Sequence, residues 1–196
     1  MIKQDIILSG VGGQGIVSIA SVIGLAALNE ELNIKQSEVH GMSQRGGAVM
    51  SHLRISSQPI SSDLIPMGKA DMILSVEPME ALRYLPYLIK NGWLVSNSRP
   101  FININNYPDI EDILNEISKL PHAMLADAEQ LAEETGSVRT SNMVMLGVAS
   151  PFLKISSNAL KKGIEELFSN KTDDIITLNL KAFDIGRAYA ENKKTQ

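Results

Sequence analysis

Two stretches carry residue types that could do chemistry. The first is Gly10-Val11-Gly12-Gly13-Gln14-Gly15. Glycines at this spacing, between an apolar run and an amphipathic one, form a turn that another group can approach closely. The free N–H groups of the following helix's first turn, and its dipole, favour an anion there. Gly10, Gly12 and Gly15 also fit the dinucleotide fingerprint G-x-G-x-x-G. The alternative is a tight turn whose glycines only permit close packing. The second stretch is Glu38-Val39-His40-Gly41-Met42-Ser43-Gln44-Arg45-Gly46-Gly47, which holds a carboxylate, an imidazole, a hydroxyl, an amide and a guanidinium in a glycine-rich loop. Donor-rich loops at strand ends are where α/β sheets bind ligands. Arg45 beside Gly46-Gly47 suits bidentate capture of a carboxylate or phosphate. Glu38 lies 23 residues past Gly15, close to the spacing at which an acidic residue meets a ribose hydroxyl. The bland alternatives are a charged residue closing a strand and a surface loop with an internal Arg–Glu pair.

Composition narrows the chemistry. The chain has no cysteine, which excludes disulfides, a thiolate nucleophile and cysteine-held iron–sulfur clusters in these 196 residues. His40, His52 and His122 are too scattered to read as a metal site. The net charge of −4, with no basic block and few aromatics, argues against nucleic acid as a partner. No apolar run reaches the roughly 18 residues a membrane helix needs. The opening residues do not read as a signal peptide, so the expected location is the cytoplasm. Hydrophobic content of 44% and charged content of 20% suit a globular core, and the length suits one domain over residues 1–196.

The elements that must position these stretches follow from periodicity. Asp5 to Ser9 reads as a buried strand and Ile16 to Leu32 as a helix, which places the glycine turn between them. Asn33 to Glu38 reads as a second strand. Ala48 to Ser56 alternates with polar residues on both faces, the pattern of a strand near a sheet edge or an interface. Ser57 to Gly68 is irregular and carries Leu64-Ile65-Pro66-Met67, an apolar stretch suited to covering a site or docking on a partner. Asp71 to Val76 is a strand, Glu77-Pro78 opens a helix to about Ile89, and Asn91-Gly92 ends it before a strand over Trp93 to Ser96. Phe101 to Asn105 is a candidate extra strand. A helix over Asp109 to Leu120, a strand over Ala123 to Ala126 and helices beginning near Asp127, Thr140, Ser156 and Asp173 complete the chain. Strand–helix–strand repetition predicts a three-layer, Rossmann-like α/β fold, a mostly parallel sheet with helices on both faces. In such a sheet the turn after strand 1 and the loop after strand 2 emerge side by side at the carboxyl edge. That would bring Gly12, Gly13 and Gln14 beside Glu38, His40, Gln44 and Arg45.

These two stretches, followed by Asn142-Met143-Val144-Met145-Leu146-Gly147 and Ala182-Phe183-Asp184-Ile185-Gly186, resemble the gamma-type domain of 2-oxoacid:ferredoxin oxidoreductases. The His-Gly-Met-Ser-Gln-Arg-Gly-Gly form at 40–47 is most similar to the beta subunits of indolepyruvate ferredoxin oxidoreductases. The resemblance spans nearly the whole chain. It implies a multi-subunit enzyme that decarboxylates a 2-oxoacid on thiamine diphosphate, passes electrons through iron–sulfur clusters to ferredoxin and releases an acyl-CoA. It places thiamine diphosphate, Mg²⁺ and the clusters in a larger partner subunit, and links this domain to coenzyme A binding or to closing the active-site region. The chain itself has neither cysteines nor a Gly-Asp-Gly segment followed by an asparagine, so the redox chemistry is expected elsewhere and no catalytic residue is assigned. The rival readings are an NAD-type nucleotide-binding enzyme and a purely structural subunit. A subunit built for a permanent partner is also expected to expose an apolar patch, here at Ala48 to Ser56 and Ser57 to Met67, and to self-associate when alone.

Overall fold

The computed structural model describes residues 1–41 and 46–194, with His40 described through its backbone alone. Six strands form one sheet in the order β2-β3-β1-β4-β5-β6. They are β1 (Lys3–Val11), β2 (Asn33–His40), β3 (Ala48–Ser56), β4 (Ala70–Ser75), β5 (Leu88–Asn97) and β6 (Ala123–Ala126). β1, β4, β5 and β6 are mutually parallel. β3 is antiparallel to both β1 and β2, so β2 runs in the same direction as β1. The expected mostly parallel sheet is therefore present, with β3 as its reversed member.

Alternation along the strands sends side chains to two cores. Ile6, Leu8, Met72, Leu74 and Val95 face one, while Ile7, Ile73 and Leu94 face the other. The first core is closed by α1 (Ile16–Asn29), α4 (Ala128–Glu133), α5 (Ser141–Ala149), α6 (Ser157–Leu167) and α7 (Asp173–Lys194). The second is closed by α2 (Pro78–Arg83) and α3 (Ile110–Ser118), with Ile65 from the irregular connection. Local chemistry sets the helix starts. The side chains of Glu77, Asp109, Asp127 and Ser156 accept from Glu80, Glu111, Gln130 and Ala159 N–H respectively.

Three expectations need correction, and a fourth, the exposed apolar connection, holds except at Ile65. β3 is an interior strand, and its buried Val49, Leu53 and Ile55 lie in the core, so it is not an exposed patch. Its polar residues are satisfied internally: Arg54 Nε and Nη2 donate to the Asp5 carboxylate at 2.8 and 3.0 Å. The Ser57–Met67 connection exposes Leu64 and Met67 but buries Ile65, whose N–H donates to His52 Nδ1 at 3.1 Å. α2 stops at Arg83, and Asn91-Gly92 lies inside β5, which begins at Leu88, because Pro86 ends the helical ladder early. Phe101 to Asn105 forms no strand; it is an irregular loop.

Candidate functional site

The glycine turn sits at the carboxyl end of β1. Gly13 and Gly15 take φ of 104° and 82°, and Gly15 is the left-handed cap of α1. A Cβ on Gly10 would strike the Val76 side chain, and one on Gly15 would strike Asn142, so β4 and α5 both press on the turn. Gln14 spans the gap between β1 and β4. Its Oε1 accepts from Val11 N–H at 2.8 Å and its Nε2 donates to the Val76 carbonyl at 3.2 Å. The Gln14 amide therefore closes the turn rather than pointing outward.

The turn and the second stretch do meet, by a different route from the one expected. β3 separates β2 from β1, and it is Gly46 and Gly47, just before β3, that meet the turn. Gly12 N–H donates to the Gly47 carbonyl at 2.9 Å, and Gly46 N–H donates to the Gly12 carbonyl at 3.3 Å. This uses the Gly12 amide, whereas those of Gly13 and Gly15 make no hydrogen bond to another described residue. Gln44 and Arg45 lie outside the described residues, and His40 ends β2. Glu38 sits on edge strand β2, with Gln36 Nε2 3.5 Å from its Oε2. A whole strand stands between it and β1, where the ribose-binding acid of a dinucleotide fold would be adjacent.

On the other side of the turn, sequence reasoning missed a crevice of about 230 Å³. It lies where the connections from β1 and β4 diverge to opposite faces, the position at which open α/β sheets take ligands. Gly13, Val76, Asn97, Phe101, Glu129 and Ser141 are among its walls. Asn97, at the end of β5, organises it. Its Oδ1 accepts from Ala128 N–H at 3.1 Å, and its Nδ2 donates to Glu129 Oε2 at 3.0 Å. The signal available in sequence was position: Val76, Asn97 and Glu129 each lie within three residues of a strand's carboxyl end.

The loop 98–109 is strapped across this edge. Fully buried Glu77 accepts from Phe101 N–H at 3.3 Å and from the Tyr107 hydroxyl at Oε1, and from Glu80 N–H at Oε2. Burial, then the Glu77 hydrogen bond, pushes the Tyr107 phenol well above its ordinary range. Burial likewise raises the Glu80 carboxyl, opposed by the Arg83 guanidinium. At its tip, Asn103 Nδ2 donates to the Gly46 carbonyl. Phe101, Ile102 and Ile104 nevertheless remain exposed. Among the described residues no group of three His, Asp or Glu is placed to hold a metal ion, and no helix is long and apolar enough to cross a membrane.

Comparison with known proteins bears on the fold and the family. The chain is 38% identical to indolepyruvate oxidoreductase subunit IorB of Pyrococcus horikoshii, over 95% of each chain. The fold matches the gamma subunit of a keto/oxoacid ferredoxin oxidoreductase from Geobacter sulfurreducens with a TM-score of 0.71 and 25% identity, covering 96% of this chain and 99% of that one. It also matches 2-oxoglutarate:ferredoxin oxidoreductase from Magnetococcus marinus, solved with 2-oxoglutarate, coenzyme A and succinyl-CoA bound, with a TM-score of 0.77. That likeness, at 24% identity, is one of fold, and this chain spans 32% of the longer chain. Residues 5–189, from Asp5 of β1 nearly to the end of α7, match the pyruvate ferredoxin/flavodoxin oxidoreductase family, and the chain belongs to it.

Proposed function

We propose that the whole chain is one gamma-type domain serving as the non-redox subunit of an indolepyruvate-type 2-oxoacid:ferredoxin oxidoreductase. The observation that carries this is the 38% identity to an indolepyruvate oxidoreductase subunit over 95% of both chains. The larger partner subunit holds thiamine diphosphate, Mg²⁺ and the iron–sulfur clusters and delivers electrons to ferredoxin. The absence of cysteine here supports that division of labour. Coenzyme A is the ligand proposed for this chain. An anionic group of it would sit on the rim formed by Gly12, Gly13, Gly15 and Gly46-Gly47, reached by Arg45. The Gly13 and Gly15 amides at the start of α1, which make no hydrogen bond to another described residue, support that placement.

One observation favours a purely structural role for the turn: the Gly12 amide and the Gln14 side chain are already used internally. The NAD-type reading loses one of its two supports, since Glu38 is a strand away from β1. Co-expression with the larger subunit tests the proposal. The two chains should co-purify and together reduce ferredoxin or viologen with indolepyruvate and coenzyme A. This chain alone should be inactive with indolepyruvate, pyruvate and 2-oxoglutarate; turnover by the single chain would refute the subunit reading.

A further inference from the structure

The two edges of the sheet differ. β6 is four residues long, and the Tyr189 hydroxyl of α7 donates to its Leu125 carbonyl at 2.8 Å. β2 is eight residues long and pairs with β3 without a break in register. Gly41 N–H donates to the Ala48 carbonyl at 2.9 Å, which sets the alternation along β2. Asn33, Lys35, Ser37 and Val39 turn their backbone groups to β3, while Ile34 and Gln36 turn theirs outward. The Ile34 and Gln36 amides make no hydrogen bond to another described residue. β2 has no proline, and the Nζ of its one lysine, Lys35, is held at the Ser61 carbonyl at 3.2 Å. Proline, a bulge and a capping side chain like Tyr189 keep a strand edge from pairing with another chain. Among the described residues, β2 has none of the three.

α1 continues this surface. A Cβ on Gly24 would lie 3.1 Å from the Ile34 side chain, so the side of α1 that carries Gly24 borders β2. Val17, Ser21 and Leu28 share that side at helical spacing, and Val17 and Leu28 are 54% and 60% exposed. α6 covers the other side of α1, where a Cβ on Gly163 would strike the Val22 carbonyl.

We propose that β2 pairs antiparallel with β2 of a second copy of this chain, about a twofold axis perpendicular to the sheet, joining two six-stranded sheets into one. The charge pattern suits self-pairing. Centring the pair on Lys35 or Glu38 sets like charges opposite each other. Centring it on Gln36 or Ser37 sets neutral polar residues there and no like charges opposite. The same axis keeps both α1 helices on one face, their Val17–Leu28 stripes turned toward each other. This inference stands on the sheet edge and goes beyond the function proposed above, so either can fail without the other.

The chain has no cysteine, so one introduced thiol reports the pairing without background. Residues opposite each other in an antiparallel pair have Cα atoms about 4.5–5.5 Å apart, within disulfide reach. In the oxidised full chain, Gln36→Cys or Ser37→Cys, whichever is central, should give a cross-linked dimer. Asn33→Cys should not, because its two copies would lie roughly 20 Å or more apart along the strands. Sedimentation of the parent should give twice the 21.4 kDa chain mass. Leu28→Lys, and Gln36→Pro, which removes only an outward N–H, should each weaken association about tenfold or more. The proposal is overturned if the parent sediments as a monomer, if neither central thiol cross-links, or if Asn33→Cys cross-links as readily. It is equally overturned if the Ile34 and Gln36 amides gain protection from exchange only when the larger subunit is co-expressed, which would give the edge to that partner.

Discussion

Gly147 of α5 and Gly186 of α7 face one another's backbones. A Cβ on Gly147 would fall on the Phe183 carbonyl, and one on Gly186 on the Val144 carbonyl. The two helices therefore cross with main chain against main chain, burying Val144, Val148, Ala182 and Phe183. Because the obstructing atoms are backbone, no rotamer change can relieve the overlap. Gly147→Ala or Gly186→Ala should destabilise the chain by about 3 kcal/mol or more, read as a lower urea midpoint with unchanged slope. A variant as stable as the parent would show that the helices can separate freely.

Gln14 joins β1 to β4 through Val11 and Val76. Gln14→Glu keeps the acceptor for Val11 N–H but turns an oxygen toward the Val76 carbonyl. A loss of about 1–3 kcal/mol is expected, with faster hydrogen exchange at Val11. If exchange at Val11 is unaltered, the bridge is not what closes the turn.

Glu77 and Tyr107 hold the loop that carries Phe101. Tyr107→Phe removes one donor to a fully buried carboxylate without changing volume, and should cost about 1–3 kcal/mol. The loss should appear as raised amide exchange across 98–108, with β1 and β4 unaffected. Uniform loosening of the whole sheet would contradict the latch.

His52 is buried in β3, and its neutral Nδ1 accepts from Ile65 N–H. Burial lowers its pKa, with Asp63 opposing and Arg54 reinforcing. The folded value lies below the unfolded one of about 6.5, so on acidification the unfolded chain takes up the proton first. Stability should thus fall as pH drops from about 6.5 toward the lower folded value. Glu80, whose carboxyl is raised, contributes the opposite slope within the carboxylate range. His52→Gln should flatten the pH dependence just below 6.5 in thermal melts; an unchanged slope would assign that dependence to other groups.

Arg45 is the cation of the second stretch. In the assembled enzyme Arg45→Ala should raise the apparent KM for coenzyme A roughly ten- to a hundredfold, the effect of one lost charge-assisted hydrogen bond. The subunits should stay together. Unchanged coenzyme A dependence with dissociated subunits would make the loop an interface element.

Local rules made much of this molecule legible in its sequence. Apolar runs and glycine or carboxylate punctuation located β1, α1, β4, β6 and the starts of α3, α4 and α6, because strand burial and helix capping depend on residues close in the chain. The same reasoning placed the glycine turn at a strand's carboxyl end. Tertiary structure alone decided where β3 goes. Its polar residues suggested an edge, yet Asp5 satisfies Arg54 and Ile65 satisfies His52 from segments distant in sequence, so the strand can be interior. That insertion moved Glu38 away from β1 while bringing Gly46 and Gly47 onto Gly12. The crevice was likewise not assembled from the sequence, since Gly13, Asn97, Glu129 and Ser141 come from segments far apart along the chain. They share one edge only because four parallel strands end there, and the order of strands in a sheet is set by pairing across the chain rather than by neighbours along it.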